Sequence, residues 1–130
     1  MNVYTDLNID GYERVIACEN EKVGLKSLIA IHNTKLGPSL GGCRMWNYET
    51  EEDAITDALR LSKGMTKKSA LAGLPLGGAK SIIWGDPKKD KTPELFEAMG
   101  EFVEHLNGKY IIAEDVGTTL EDLQIMACKT

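Results

Sequence analysis

Apolar positions crowd into two short runs near the start of the chain, YERVIAC at 12–18 and LKSLIAIH at 25–32. Both are rich in residues that favour strands, and KSLIAIH alternates apolar and polar positions with the period of a half-buried strand. The polar stretch Asn20–Gly24 between them is short enough to join an antiparallel pair. GPSLGGCRMW at 37–46 starts as a glycine- and proline-bearing loop and runs into a short strand. The period then changes to that of a helix. Ala54, Ala58, Leu61, Met65 and Ala72 fall on one helical face, and Thr50 can cap a helix running to about Ala72, with Glu51, Glu52 and Asp53 in its first turn.

The second half repeats the alternation of strand and helix. AKSIIWG at 79–85 is a predicted strand, and a polar DPKKDK turn follows it. Thr92 caps a second helix, Pro93 fits its first turn, and the helix ends near Gly108. KYIIAE at 109–114 is a further strand, and Thr118 with Glu121 has the spacing of a capping box for a last helix. The elements predict an α/β fold: a single mixed-sheet domain with helices on its faces, led by an antiparallel hairpin. The chain stops at Thr130, in or just after that last helix, which is an odd place for a complete protein to end.

Composition narrows the function classes. Of 130 residues, 42% are hydrophobic and 27% charged, the balance of a globular domain and not of a disordered tail. The net charge of −5 argues against nucleic acid as a partner, since phosphate contacts need clustered Lys and Arg. Lys88, Lys89 and Lys91 do cluster, but Asp86 and Asp90 are interleaved with them. No stretch approaches the ~20 apolar residues that span a bilayer, and the amino terminus lacks the pattern of a secretory signal. Cys18, Cys43 and Cys128 are odd in number and without a CxxC pair, which suits reduced thiols in the cytoplasm. Neither His32 nor His105 has a partner at metal-ligand spacing, so no metal is expected.

Three residues break their own patterns. Position 68 belongs to the apolar row of the first helix and is a lysine; it either snorkels at the helix end or is buried with an anionic partner. Lys80 follows Gly77-Gly78-Ala79 and shares a strand face with Ile82 and Trp84, as a ligand lysine beside a close backbone approach or as a lysine at a strand mouth. Asp115 lies between an apolar strand and a helix, where α/β sheets place ligands, or else it bonds its own turn. A second glycine pair, Gly41-Gly42, follows Leu40. GLPLGGAKS is not a phosphate-binding loop: one residue too many separates Gly73 from Lys80, and the order is helix, loop, strand. Together these residues suggest a polar site for a small anion.

GPSLGGCRMW, KGMTKKSALAGLPLGGAK and AEDVGTT, in that order, resemble the amino-terminal domain of the Glu/Leu/Phe/Val amino acid dehydrogenases, in particular the leucine-preferring branch. The resemblance covers almost the whole chain. It implies a substrate-binding and oligomerisation domain over 1–130, in a homo-oligomeric cytoplasmic enzyme that deaminates a branched-chain L-amino acid. By the same resemblance Lys80 is the catalytic lysine, Lys68 holds the substrate carboxylate, and Asp115 assists proton transfer at the amino group. Gly41, Gly42 and Met65 would line the substrate, and Leu40 and Ala113 would shape its side-chain pocket. The family's cofactor is NAD, bound by a following Rossmann domain. Its GxGxxG fingerprint is absent from this chain, which is therefore expected to carry no cofactor site. A phenylalanine- or valine-preferring relative, or a non-catalytic oligomerisation module, are the competing expectations.

Overall fold

The computed structural model describes residues 1–130. Strands β1 (Val3–Leu7), β2 (Arg14–Asn20), β3 (Leu25–Asn33) and β4 (Ser39–Trp46) come first. Helix α1 (Glu51–Leu71), β5 (Gly77–Trp84), α2 (Pro93–His105), β6 (Tyr110–Glu114) and α3 (Leu120–Ala127) complete the chain. The six strands form one mixed sheet in the order β1-β2-β3-β5-β4-β6. β1, β2, β3 and β5 pair antiparallel, and β4 runs parallel to both β5 and β6. Hairpin, crossover and helices match the α/β mixed-sheet expectation.

Alternation along the strands separates two cores. Ile29, Ile31, Cys43, Met45 and Ile83 point to the face covered by α2 and α3, where they pack with Phe96, Met99, Phe102 and Met126. Burying each of these large side chains contributes about 1.5–3 kcal/mol, so this face carries most of the apolar stabilisation. Val15, Leu28, Ala30 and Ile82 point to the other face, where α1 rests on them with Ala54 and Ala58. Only β3 and β5 lie well beneath α1, which leaves β4 and β6 open on that side.

The helix ends follow their local chemistry, with one shift. Thr50 and Thr92 cap α1 and α2 as expected, each accepting a backbone N–H three residues on. The cap of α3 is Thr119 with Asp122, and not Thr118 with Glu121. Thr118 is one residue too early because its hydroxyl is already engaged: it donates to the Cys43 carbonyl at 2.6 Å and accepts the Asp115 N–H at 3.0 Å. Strand β1 has no forerunner in the apolar pattern, since Thr5 and Asp6 are both exposed. It is an edge strand held by pairing with β2 and by Tyr4, which stacks on His105 with ring centroids 3.9 Å apart.

The buried row of α1 also departs from the expected one. Ala54 and Ala58 are buried as predicted, but the row continues through Ser62 and Ser69, while Leu61 and Met65 are half-buried and Lys68 and Ala72 exposed. The cause is Gly78. A Cβ on Gly78 would lie 2.1 Å from the Thr66 nitrogen and 2.4 Å from the Ser62 carbonyl oxygen. Helix and strand approach too closely there for leucine, and small hydroxyl residues fill the contact. Ser62 satisfies its buried hydroxyl by donating to the Leu59 carbonyl at 2.9 Å. Although α1 has 21 residues, no helix is long and apolar enough to cross a membrane.

Candidate active site

Lys80 stands in the middle of β5 on the face that α1 covers in part, with its side chain only 8% exposed. Its neighbour across β3 is Ala30, whose methyl group leaves the long side chain room. Such burial of an ammonium demands a counter-charge. Asp115 supplies it from the segment after β6, its Oδ2 meeting the Lys80 Nζ directly. β4 lies between β5 and β6, so this contact must cross a strand. It crosses at Gly42, where a Cβ would stand 2.8 Å from the Asp115 Cβ and 3.1 Å from its Oδ2. The absent side chain is the passage through which the carboxylate reaches the lysine.

The segment carrying Asp115 is tied down. The Thr118 bonds close its turn, and the Met45 N–H donates to the Val116 carbonyl at 2.9 Å. Gly117, at φ 80°, passes so close to β4 that a Cβ would strike the Met45 carbonyl oxygen. The carboxylate therefore starts from a fixed backbone. Asp115 does follow the end of a strand, but its carboxylate turns inward, so the site lies over the middle of the sheet and not in a crevice at the strand ends.

Asp57, Leu61, Met65 and Lys68 run along one flank of α1 at helical spacing. On that flank Asp57 meets Arg44 of β4, Nη1 to Oδ2, at 3.1 Å. The flank thus borders the open face of β4, with Gly42, Lys80 and Asp115 on its floor. Lys68 is exposed, forms no ion pair within the chain and stands in the last turn of α1, where a cation is favoured by the helix dipole. Leu40 and Ala113 are half-buried on the same face, Leu40 two residues before Gly42 and Ala113 directly opposite Gly42 on β6. Gly41 has a different place. It is buried, and a Cβ there would collide with the Ala79 carbonyl of β5, so its role in the fold is strand-to-strand approach. The geometry brings together Gly42, Lys80 and Asp115; Leu40 and Ala113 share the face of Gly42, and Met65 and Lys68 stand on the flank of α1.

Burial, and then the nearby Arg44 guanidinium, push the Lys80 ammonium from 10.5 down to about 8. Asp57 and the Cys43 thiol oppose that shift, and Arg60 adds to it. A lysine poised near 8 exchanges protons readily at the pH of most cells. Burial raises the Asp57 carboxyl, but hydrogen bonds from Tyr48 and Arg60 and the charge of Arg44 outweigh it and hold the group below its ordinary value.

Sequence reading did not single out Arg44, Tyr48 or Asp57. Asp57 and Arg60 look like an ordinary solvated pair on a helix, and Tyr48 like part of a loop. The available signal was Arg44 itself, a charge in a strand two positions beyond Gly42 and hence on its face. A shallow cavity of about 220 Å³ opens at this end, lined by Arg44, Trp46, Tyr48, Asp57 and Val116.

Residues 12–130 match the family described as Glu/Leu/Phe/Val dehydrogenase, dimerisation domain. Over 119 residues the chain is 60% identical to a leucine dehydrogenase of Bacillus subtilis, covering 92% of this chain and 33% of that protein. It is 56% identical over 122 residues to a phenylalanine dehydrogenase of Caldalkalibacillus thermarum, covering 94% of this chain and again 33% of the relative. Among solved structures, an L-tryptophan dehydrogenase of Nostoc punctiforme superposes with a TM-score of 0.89 at 44% identity, over 92% of this chain and 36% of that one. The chain thus spans about a third of the length of the curated relatives it matches. With 119 of its residues inside the family's own domain and the same mixed sheet as a solved amino acid dehydrogenase, the chain belongs to the Glu/Leu/Phe/Val dehydrogenase family, as its dimerisation domain.

Proposed function

We propose that this chain is the substrate-binding and oligomerisation domain of a cytoplasmic, NAD-dependent L-leucine dehydrogenase, which converts branched-chain amino acids reversibly to 2-oxo acids and ammonia. The observation that carries the reading is the buried Lys80–Asp115 pair over Gly42, bordered by a helix flank that presents Lys68. A pair of this kind serves a reaction in which protons must move on and off a substrate nitrogen and off a water that attacks the adjacent carbon. A leucine dehydrogenase is among the relatives, and the half-buried Leu40 and Ala113 suit an aliphatic pocket wall.

In this reading Lys68 holds the substrate carboxylate with its free ammonium and Gly42 and Met65 line the space above the sheet, while Gly41 serves the close approach of β4 to β5 and does not line that space. The amino group then lies toward Asp115. Once Asp115 engages that amino group, Lys80 loses its counter-ion, and its already lowered proton affinity lets it act as the general base for water attacking the imine carbon. Asp115 passes protons to and from the nitrogen as ammonia leaves. The hydride acceptor is NAD. None of the turns after β4, β5 or β6 has the glycine fingerprint for a dinucleotide, so its binding is assigned to a domain outside this chain.

A second reading, preference for phenylalanine, draws on the phenylalanine dehydrogenase at 56% identity. Turnover of leucine, valine and phenylalanine by the complete protein with NAD decides. A kcat/KM highest for leucine is expected, and a higher value for phenylalanine replaces the first reading with the second. Absence of turnover on all three refutes both.

A further inference from the structure

Arg44 enters the site from β4 on the face of Gly42. Its Nη1 lies 3.1 Å from Asp57 Oδ2 and its Nη2 3.6 Å from Asp115 Oδ2, with 22% of the side chain exposed. The Asp115 oxygen it faces receives no hydroxyl or backbone N–H, so only the two cations, Arg44 and Lys80, address it. Asp57 is in turn held from three sides. The Tyr48 hydroxyl donates to its Oδ2 at 2.5 Å, Arg60 Nη2 donates to its Oδ1 at 2.8 Å, and Arg44 completes the set. The guanidinium is therefore braced on its outer side and free to act on its inner side. Charges alternate along the row Lys80, Asp115, Arg44, Asp57, Arg60.

We propose that Arg44, braced by Asp57 and Tyr48, is a positioning residue of the site: it fixes the Asp115 carboxylate over Gly42 and competes with Lys80 for that carboxylate, so that Lys80 can release its proton. The inference rests on Lys80 and Asp115 being the reacting pair, as proposed above. Two cations on one carboxylate each weaken the other's hold, and a guanidinium, which does not deprotonate, always keeps its share. Lysine would be a poor substitute, because a point charge cannot span Asp57 and Asp115 at once.

The other groups facing Lys80 supply less of this effect or none. Asp57 favours the charged lysine, and Arg60 lowers it as well, but less than Arg44 and from a mostly exposed side chain paired with Asp57. Cys43 is buried with its thiol pushed up to about 12, and is neutral. His32, on the same face of β3, is lowered by burial and by Lys63, Lys35 and Lys67, and is neutral where Lys80 titrates. Lys68 is solvated at the far end of α1, and Ala30 carries no charge.

The test is the proton affinity of Lys80 itself, read in the complete protein by competitive acetylation and peptide mass spectrometry between about pH 6 and 11. The unaltered protein should show a midpoint of about 8. Arg44→Met should raise it by about one pH unit, and Asp57→Asn, which removes a charge that favours protonated Lys80, should lower it. The acid limb of kcat/KM for leucine should move in the same direction in each variant, a change that mere loss of packing would not produce. Arg44→Lys should leave the midpoint near that of the unaltered protein while lowering kcat about tenfold, because the carboxylate is no longer braced. Should Arg44→Met fail to fold, Arg44→Gln, which keeps a polar side chain without the charge, carries the decision by the same upward shift. Unchanged midpoints in the folded variants, or shifts of the same sign, overturn the proposal. Midpoints that shift as stated in a protein without leucine turnover would support Arg44 and refute the proposed substrate instead.

Discussion

Gly42→Ala adds one methyl group at the point where the carboxylate crosses β4. The new Cβ would sit 2.8 Å from the Asp115 Cβ and 3.1 Å from both its Cγ and Oδ2. Carbon atoms at rest need about 3.5–4.0 Å, so Asp115 must withdraw by close to 1 Å. It cannot withdraw with its backbone, because Thr118 and the Val116–Met45 bond hold that segment to β4. The side chain must turn instead, and the contact with Lys80 opens. A misplacement of about 1 Å costs on the order of 10²-fold in rate, and overpacking costs about 1–3 kcal/mol in stability. The assay is kcat for leucine with denaturant unfolding of the same samples, repeated in an Asp115→Gly background that lacks all three opposing atoms. There the stability penalty of Gly42→Ala should shrink to a few tenths of a kcal/mol, roughly the limit of additivity for independent sites. Equal penalties in both backgrounds, or an undiminished kcat in the single variant, would refute the passage at Gly42.

The remaining predictions concern the complete protein. Lys80→Ala should lower turnover by about 10²–10⁴-fold without unfolding the domain, and a near-normal kcat removes Lys80 from the chemistry. Because Lys80 must be neutral to accept a proton, kcat/KM should be lost as the pH falls through about 8 and retained above it; a profile flat from pH 7 to 9 contradicts that role. Lys68→Ala should raise KM for leucine far more than it changes kcat, since a carboxylate loses its cation and nothing in the fold loses a partner; an unchanged KM leaves Lys68 as a helix-end lysine. Ala113→Gly should shift kcat/KM toward phenylalanine by roughly tens-fold, a methyl group being worth about 1–3 kcal/mol, and an unaltered leucine-to-phenylalanine ratio places Ala113 outside the pocket.

What the sequence made legible follows the range of the forces involved. The hairpin of β2 and β3, the helices α1 and α2 and their threonine caps are decided within a few residues, and they stand close to where the pattern placed them. The rotation of the buried row of α1 was not legible, because it is set by Gly78, which lies beyond the helix and meets Ser62 and Thr66 only in the folded sheet. Thr118 lost its capping role to a carbonyl 75 positions earlier in the chain. The glycine pairs, Lys80 and Asp115 could be marked as anomalies, yet that Gly42 and not Gly41 opens the way between them depends on the strand order. Arg44 was hidden for the same reason, its two carboxylates lying on a helix and beyond a different strand.

The contact between Gly78 and α1 has a consequence for how the substrate range of such a domain can change. Residues that line a cleft alter it by bulk or charge at one spot while its walls stay where they are. The atoms nearest to a Cβ on Gly78 belong to Ser62 and Thr66 and not to Met65 or Lys68, yet Gly78 sets how low the carboxyl half of α1 rides on β5. Alanine there would lift that half of the helix and carry Met65 and Lys68 outward together, away from Gly42, with both side chains intact. The distance between the cation on the helix and the ion pair on the sheet is thus a property of the backbone, held by a single missing methyl group. Acids of greater length are reached by moving a wall, and substitutions confined to the lining never sample that direction.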